Sequence, residues 1–152
     1  MSFSKIKKLD FSNARILVIG DVMLDKFIFG NVNRMSPEAP VPVLDVDSIL
    51  YYLGGAANVA SNLKSLNTDV NICSIVGNDV TGEKIIKLLN DIKISTNYIY
   101  KSNFRKTTLK SRALDSEKQL IRLDIEDKFE LTSKGYKILT KHILECINNP
   151  KP

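Results

Sequence analysis

Tryptophan is absent from the 152 residues, histidine occurs once and cysteine twice. With His142 alone, on what reads as a polar helix face, Ser-His-Asp and Cys-His nucleophilic chemistry have little support. Cys73 and Cys146 form no CxxC pair and have no metal-ligand spacing, and Cys73 sits in an apolar run that reads as core. No apolar stretch approaches the roughly 18 residues a membrane helix needs. The segment Met1 to Asp10 is basic but carries no apolar h-region, so a signal peptide is not expected. The expected location is the cytoplasm, with no membrane partner. A Walker-type GxxxxGK[ST] loop is missing as well, and so are internal repeats and low-complexity segments.

What remains is ordinary for a globular protein: 43% apolar residues, 26% charged and a formal charge of +5. That length suits one domain with a real core. The positive charge comes mostly from lysines spread along the chain. Nucleic-acid binders cluster such charge and interleave aromatics with it, and no such stripe is present. The balance reads as a solvated surface tilted toward phosphorylated small molecules, with no nucleic-acid partner.

Along the chain, Ala14 to Ile19 is a short continuous apolar run ending in Gly20-Asp21, the pattern of a strand buried on both faces with a loop at its carboxyl end. Leu24 to Val32 and Val41 to Tyr52 read as extended. Between them, Ser36-Pro37-Glu38-Ala39-Pro40-Val41-Pro42 cannot be helical. Ala56, Val59, Ala60, Leu63 and Leu66 follow helical spacing. Val70 to Val76 is a second buried strand, closed by Gly77. A helix follows from about Val80 to Asp91, with Ile85, Leu88, Leu89 and Ile92 on one face. Asn97 to Lys101, Thr107 to Leu114 and Lys118 to Ile125 read as three strands of an antiparallel piece. A last helix starts near Thr132, a good N-cap, with Tyr136, Leu139, Ile143 and Ile147 as its stripe and a proline-containing tail after Asn148. Strands alternating with helices indicate an α/β sheet, and the extra β segments a flap on its edge. Only two central strands are convincing, which suits the first part of a larger unit.

The most informative stretch is Gly54-Gly55-Ala56-Ala57-Asn58-Val59-Ala60. Two glycines open a helix where backbone N–H groups and the positive end of the helix dipole favour an anionic or polyhydroxylated ligand. Asn58 can both donate to and accept from a hydroxyl. A turn ahead of a small-residue helix packed on a sheet explains the glycines equally well.

Three segments together carry a resemblance: Ile19-Gly20-Asp21-Val22-Met23-Leu24-Asp25, Arg34-Met35-Ser36-Pro37-Glu38-Ala39-Pro40-Val41-Pro42-Val43, and the glycine-pair motif. They resemble the ribokinase-like (PfkB-type) carbohydrate kinases. Within these, the nearest likeness is to the N-terminal part of the kinase domain in the bifunctional heptose 7-phosphate kinase/heptose 1-phosphate adenylyltransferases. Gln119-Leu120-Ile121-Arg122-Leu123-Asp124 follows in the right order. The resemblance implies the N-terminal part of a ribokinase-like α/β sheet flanked by helices, with a small β lid that often helps to form a homodimer. Residues 1–152 would then be the N-terminal half of the kinase domain, without its C-terminal ATP-binding half or the adenylyltransferase domain.

The implied reaction is ATP-dependent phosphorylation of D-glycero-D-manno-heptose 7-phosphate at C1, in ADP-heptose and lipopolysaccharide core synthesis, with Mg2+ as the accompanying metal. The resemblance assigns Asp25 to the sugar as a charged hydroxyl acceptor. It adds Asp21 as a loop or sugar contact, Gly54 and Gly55 as backbone contacts and Asn58 as a hydroxyl ligand. Lys110 and Arg112, on one strand face, would meet the 7-phosphate, and Arg34 is a further phosphate candidate. A solvated loop acid at Asp25 and an exposed charged strand face at Lys110 and Arg112 are the plain alternatives; Arg122 and Asp124 share a face and can simply pair. Leu53 and Ser116 depart from the family pattern, as does Lys26-Phe27-Ile28-Phe29. The family's Gly-Ala-Gly-Asp motif, which supplies the catalytic aspartate, does not occur, so no catalytic residue is assigned. Two other readings stand beside this one: a truncated sugar-binding or dimerising remnant without catalysis, and a related kinase of another phosphosugar.

Overall fold

A computed structural model of the chain describes residues 10–128 and 130–148. The basic start of the chain and the tail beyond Asn148 lie outside the described residues. Strand β1 (Arg15–Ile19) pairs in parallel with β4 (Asp69–Gly77), which pairs in parallel with β5 (Ile99–Ser102). Between β1 and β4 run β2 (Val22–Met35), β3 (Pro42–Gly55) and helix α1 (Ala56–Ser65), and between β4 and β5 runs α2 (Val80–Asp91). Strands β6 (Thr108–Asp115) and β7 (Lys118–Ile125) and helix α3 (Ser133–Asn148) complete the order. Two sheets result, β1-β4-β5 and β3-β2-β6-β7.

Asn97 to Lys101 therefore does not join an antiparallel trio. Its strand, β5, is the third member of the core sheet, and its four short residues gave the alternation too little length to distinguish the two sheets. The core sheet has three strands where the apolar runs indicated two. The second sheet is mixed, with β2 antiparallel to β3 and parallel to β6, while β6 and β7 are antiparallel.

Strand β4 explains the layering. Val70, Ile72 and Val76 point to the face covered by α1 and α2, where they pack with Ala57, Ala60, Ile85 and Leu89. Cys73 points to the other face, where Cys146, Leu139 and Ile143 of α3 close over it with Tyr98. Burial and the nearby Cys146 thiol push the Cys73 thiol up to about 11, so it behaves as a small core hydrophobe. On α1 the small Ala57 and Ala60 face the sheet, while Val59 and Leu66, grouped with the apolar stripe by spacing, are half exposed. Tyr136 and Ile147 of the α3 stripe are likewise exposed. His142 is not set in a wholly polar face: its ring meets Tyr100 edge-on, and its Nδ1 is buried. Among the described residues no helix is long and apolar enough to cross a membrane.

Besides the shared apolar core, a hydrogen-bonded junction ties the two sheets. Asp79 caps α2 by accepting from the Gly82 amide (2.8 Å), and its second oxygen accepts from the Thr107 amide (2.8 Å) at the entry to β6. The Thr107 hydroxyl accepts from the Gly77 amide (2.8 Å) at the end of β4. No side chain fits here: a Cβ on Gly82 would stand 2.4 Å from the Gly77 carbonyl oxygen. Desolvation works to raise the Asp79 carboxyl, but the Thr107, Gly82 and Thr81 hydrogen bonds outweigh it and hold it below its ordinary value of 3.8. The stabilisation is thus complete above pH 3.8 and is lost as pH falls through the lower folded value. Asp79→Ala is expected to cost about 1–3 kcal/mol at pH 7, from a lost cap and an unbonded Thr107 amide. Asp79→Asn should cost less at pH 7 and flatten the acid limb; urea unfolding at pH 7 and pH 3 measures both.

Candidate functional site

The site is built where the first sheet hands over to the second. After β1 the chain turns at Gly20, whose amide donates to the Cys73 carbonyl (3.5 Å) and whose carbonyl accepts from the Ser74 hydroxyl (2.7 Å). The next carbonyl, that of Asp21, accepts from the Ala56 amide (2.9 Å) at the start of α1. Asp21 thus organises the loop through its backbone. Its side chain is 84% exposed, with the Arg105 guanidinium 3.8 Å away.

The glycine pair ends β3 opposite the start of β2, Gly55 beside Val22 and Gly54 beside Met23. Gly55 holds φ +56°, a conformation glycine adopts without steric cost. A Cβ there would lie 2.5 Å from the Asp21 carbonyl oxygen, and a Cβ on Gly54 would lie 2.5 Å from Asp25 Oδ2. The missing side chains therefore make room for Asp21 and Asp25 themselves. Asn58 is exposed on the first turn of α1.

The strand register gathers the other candidates. Asp25 lies between Tyr52 of β3 and Lys110 of β6, and Lys110 lies beside Asp124 of β7. One step outward, Phe27 is flanked by Leu50 and Arg112, and Arg112 by Arg122. Side chains two apart on a strand share a face, so these rows form one polar surface with an aromatic edge. Across it Arg112 Nη1 donates to Asp25 Oδ1 (2.5 Å), both side chains only 21% exposed. The same guanidinium lies over the Phe27 ring at 5.2 Å, and Phe27 meets Tyr52 edge-on at 5.6 Å. Lys110 Nζ is 3.4 Å from Asp124 and 3.8 Å from Glu126, and Arg122 Nε is 3.0 Å from Asp124. Desolvation pushes the Asp124 carboxyl up, yet the Lys110 and Arg122 hydrogen bonds and charges prevail and keep it below 3.8.

The structure thus brings together Asp25, Gly54, Gly55, Lys110 and Arg112, with the Asp21 backbone and Asn58 at the rim. Arg34 is not among them. It is exposed and pairs with Val43 nine positions along β2 from Asp25, about 30 Å at the rise of a strand. Phe27, marked in the sequence only as part of a departure from the family pattern, lies under the Arg112 guanidinium, and Tyr52, unmarked there as a site residue, meets its ring edge-on. The alternation Asp25, Phe27, Phe29 was the signal that could have found the first.

Residues 13–144 match the pfkB family carbohydrate kinases. The chain belongs to that family. Among curated relatives, the bifunctional protein HldE of Sulfurimonas denitrificans is 36% identical over 94% of this chain, and that of Haemophilus influenzae (strain PittEE) 46% identical over 79%. The chain spans 30% and 25% of their respective lengths. A solved carbohydrate kinase from Agrobacterium tumefaciens is 25% identical, with a TM-score of 0.60 over 73% of this chain and 35% of its own. The α/β architecture with a second, lid-like sheet is the ribokinase-like fold read from the three motifs.

For a PfkB-family chain the glycine pair carries a direct stability consequence. Gly54→Ala is expected to destabilise by about 1–3 kcal/mol, because its Cβ collides with Asp25 and Met23. A urea midpoint unchanged from wild type would show that the close approach is not required.

Proposed function

We propose that residues 1–152 are the sugar-binding N-terminal half of a kinase domain that phosphorylates D-glycero-D-manno-heptose 7-phosphate at C1. The product is the 1,7-bisphosphate, on the route to ADP-heptose and the lipopolysaccharide core. The observation that carries the reading is one sheet face holding a carboxylate, Asp25, beside two cations, Lys110 and Arg112, at the glycine-pair corner. A carboxylate reads hydroxyls and the cations read a phosphate, so the face suits a sugar that bears both. The HldE relatives support the heptose branch.

ATP and Mg2+ belong to the reaction, but the described residues do not fit them. No group of three or more potential metal ligands occurs among these residues. A side chain at Gly54 or Gly55 would collide with Asp25, Asp21 or Met23, so the glycine pair serves the packing of this corner. In this proposal both groups are held by residues beyond this chain in the longer protein, and no residue here takes the hydroxyl proton. The chain's own work is to bind and orient the sugar. In the complete parent enzyme, Asp25→Ala is expected to lower kcat/KM for heptose 7-phosphate by about 10- to 100-fold, the range for a lost hydrogen bond involving charge, and Asn58→Ala by about 2- to 10-fold, the range for a neutral one. Unchanged kinetics in both variants would remove the sugar-site assignment.

The lid's opposite face supports a homodimer. Next to the core, Leu24, Leu53 and Leu109 are covered, but the outer positions Ile49, Ile121, Leu123 and Ile125 are exposed. These apolar side chains share one sheet face, with Lys26 and Ser111 between them, and such a face suits burial against a second copy. Sedimentation at tens of micromolar should show a dimer, and the double change Ile121→Lys, Leu123→Lys a folded monomer. A monomeric wild type would overturn the arrangement.

A further inference from the structure

The Asp25–Arg112 pair places the two halves of sugar-phosphate recognition in competition with each other. We infer that this ion pair is a specificity device, an internal anion that occupies Arg112 until a ligand anion replaces it. The inference rests on the proposed sugar-phosphate reading of the same face.

Three constraints hold Arg112 in place. Its Nη1 donates to Asp25 Oδ1 at 2.5 Å, its guanidinium lies over Phe27, and both charged side chains are largely withdrawn from water. The neighbouring acids Asp124 and Glu126 are already engaged by Lys110 and Arg122, so Asp25 is the carboxylate that neutralises Arg112. The Asp25 carboxylate can approach because Gly54 has no Cβ to meet Oδ2. This oxygen lies over the glycine corner, where the proposal puts the sugar hydroxyls.

The two ligand classes then meet different costs. A neutral sugar that takes the Asp25 carboxylate for its hydroxyls draws it from Arg112 and leaves a partly buried guanidinium without its counter-charge, an unfavourable state. A sugar carrying a phosphate supplies a new anion to Arg112 as its hydroxyls take Asp25, so every charge keeps a partner. Phosphate oxygens suit the guanidinium fork, and the Phe27 ring keeps the fork in place during the exchange. Discrimination against unphosphorylated sugar arises from the pair that must be broken, in addition to the contacts that are gained.

The exchange has a signature that a simple binding contact lacks. If Asp25 competes with the ligand anion, neutralising it must strengthen anion binding even though Asp25 is itself part of the site. The probe is inorganic phosphate, titrated into the 152-residue chain by calorimetry or by NMR of the arginine side chains at constant ionic strength. Asp25→Asn, which keeps the shape and removes the charge, is expected to tighten phosphate binding by about tenfold, equivalent to about 1.4 kcal/mol. Asp25→Ser should do the same, which guards against a fold defect in either variant, and circular dichroism checks both. Arg112→Gln should abolish the phosphate response. Phosphate affinity that is unchanged or weaker in both Asp25 variants, with the Arg112→Gln loss intact, would overturn the exchange while leaving the phosphate site in place. A wild-type response that survives Arg112→Gln would overturn the anion assignment of Arg112 itself, and the exchange with it.

Discussion

The carboxylate of Asp79 is the tie on which the arrangement of the two sheets depends. It lies where β4 ends, α2 begins and β6 enters, and it accepts backbone hydrogen bonds from two of those elements at once. Backbone amides at such a junction have no strand or helix partner of their own, and leaving them unbonded away from water is unfavourable. A single ionised side chain with two oxygens satisfies both, and the Thr107 hydroxyl returns the connection to Gly77. The glycines at 77 and 82 keep the junction tight enough for these bonds to form. The mixed sheet is thereby set at a fixed place relative to the core, and β6 enters β2's edge in the register that puts Lys110 beside Asp25.

At the site itself the same economy recurs with a different balance of charges. The polar face carries Asp25, Lys110, Arg112, Arg122, Asp124 and Glu126 in mutual contact rather than as free ligand groups. Within such a network each charge already has a partner of opposite sign. Its specificity comes from which of those matches a ligand can replace.

Much of the architecture was legible because its signals were long or chemically specific. The runs at Ala14 to Ile19 and Val70 to Val76 and the α2 periodicity correspond to β1, β4 and α2, the last with the same boundaries. Thr132 does cap the last helix, its hydroxyl accepting from the Gly135 amide. The shared strand faces of Lys110 with Arg112 and of Arg122 with Asp124 followed from period-two alternation and are observed. What sequence could not supply was pairing between distant segments. The four residues of β5 carry no mark of which sheet they join. Arg34 resembles a site residue in the motif, yet strand length carries it away from the glycine corner. The glycine pair leaves two readings open in the sequence, a backbone contact for a ligand and a plain turn; the fold adds that a side chain at either glycine would collide with Asp21 or Asp25. Asp79 escaped notice since its second partner, Thr107, lies 28 residues on.

The row Tyr52–Asp25–Lys110–Asp124 draws one residue from each of four strands, each from a different stretch of the chain. Asp25 and Lys110 come from distant stretches of the chain, and each pairing in the row crosses from one strand to the next. A molecule held across the row has no binding surface in any partly folded form that lacks one of these pairings. Its free energy of binding therefore adds to the cooperativity of the lid as well as to occupancy, and the shift in melting temperature with ligand concentration becomes a gauge of correct topology. For this face, recognition and the completion of folding are thermodynamically one event.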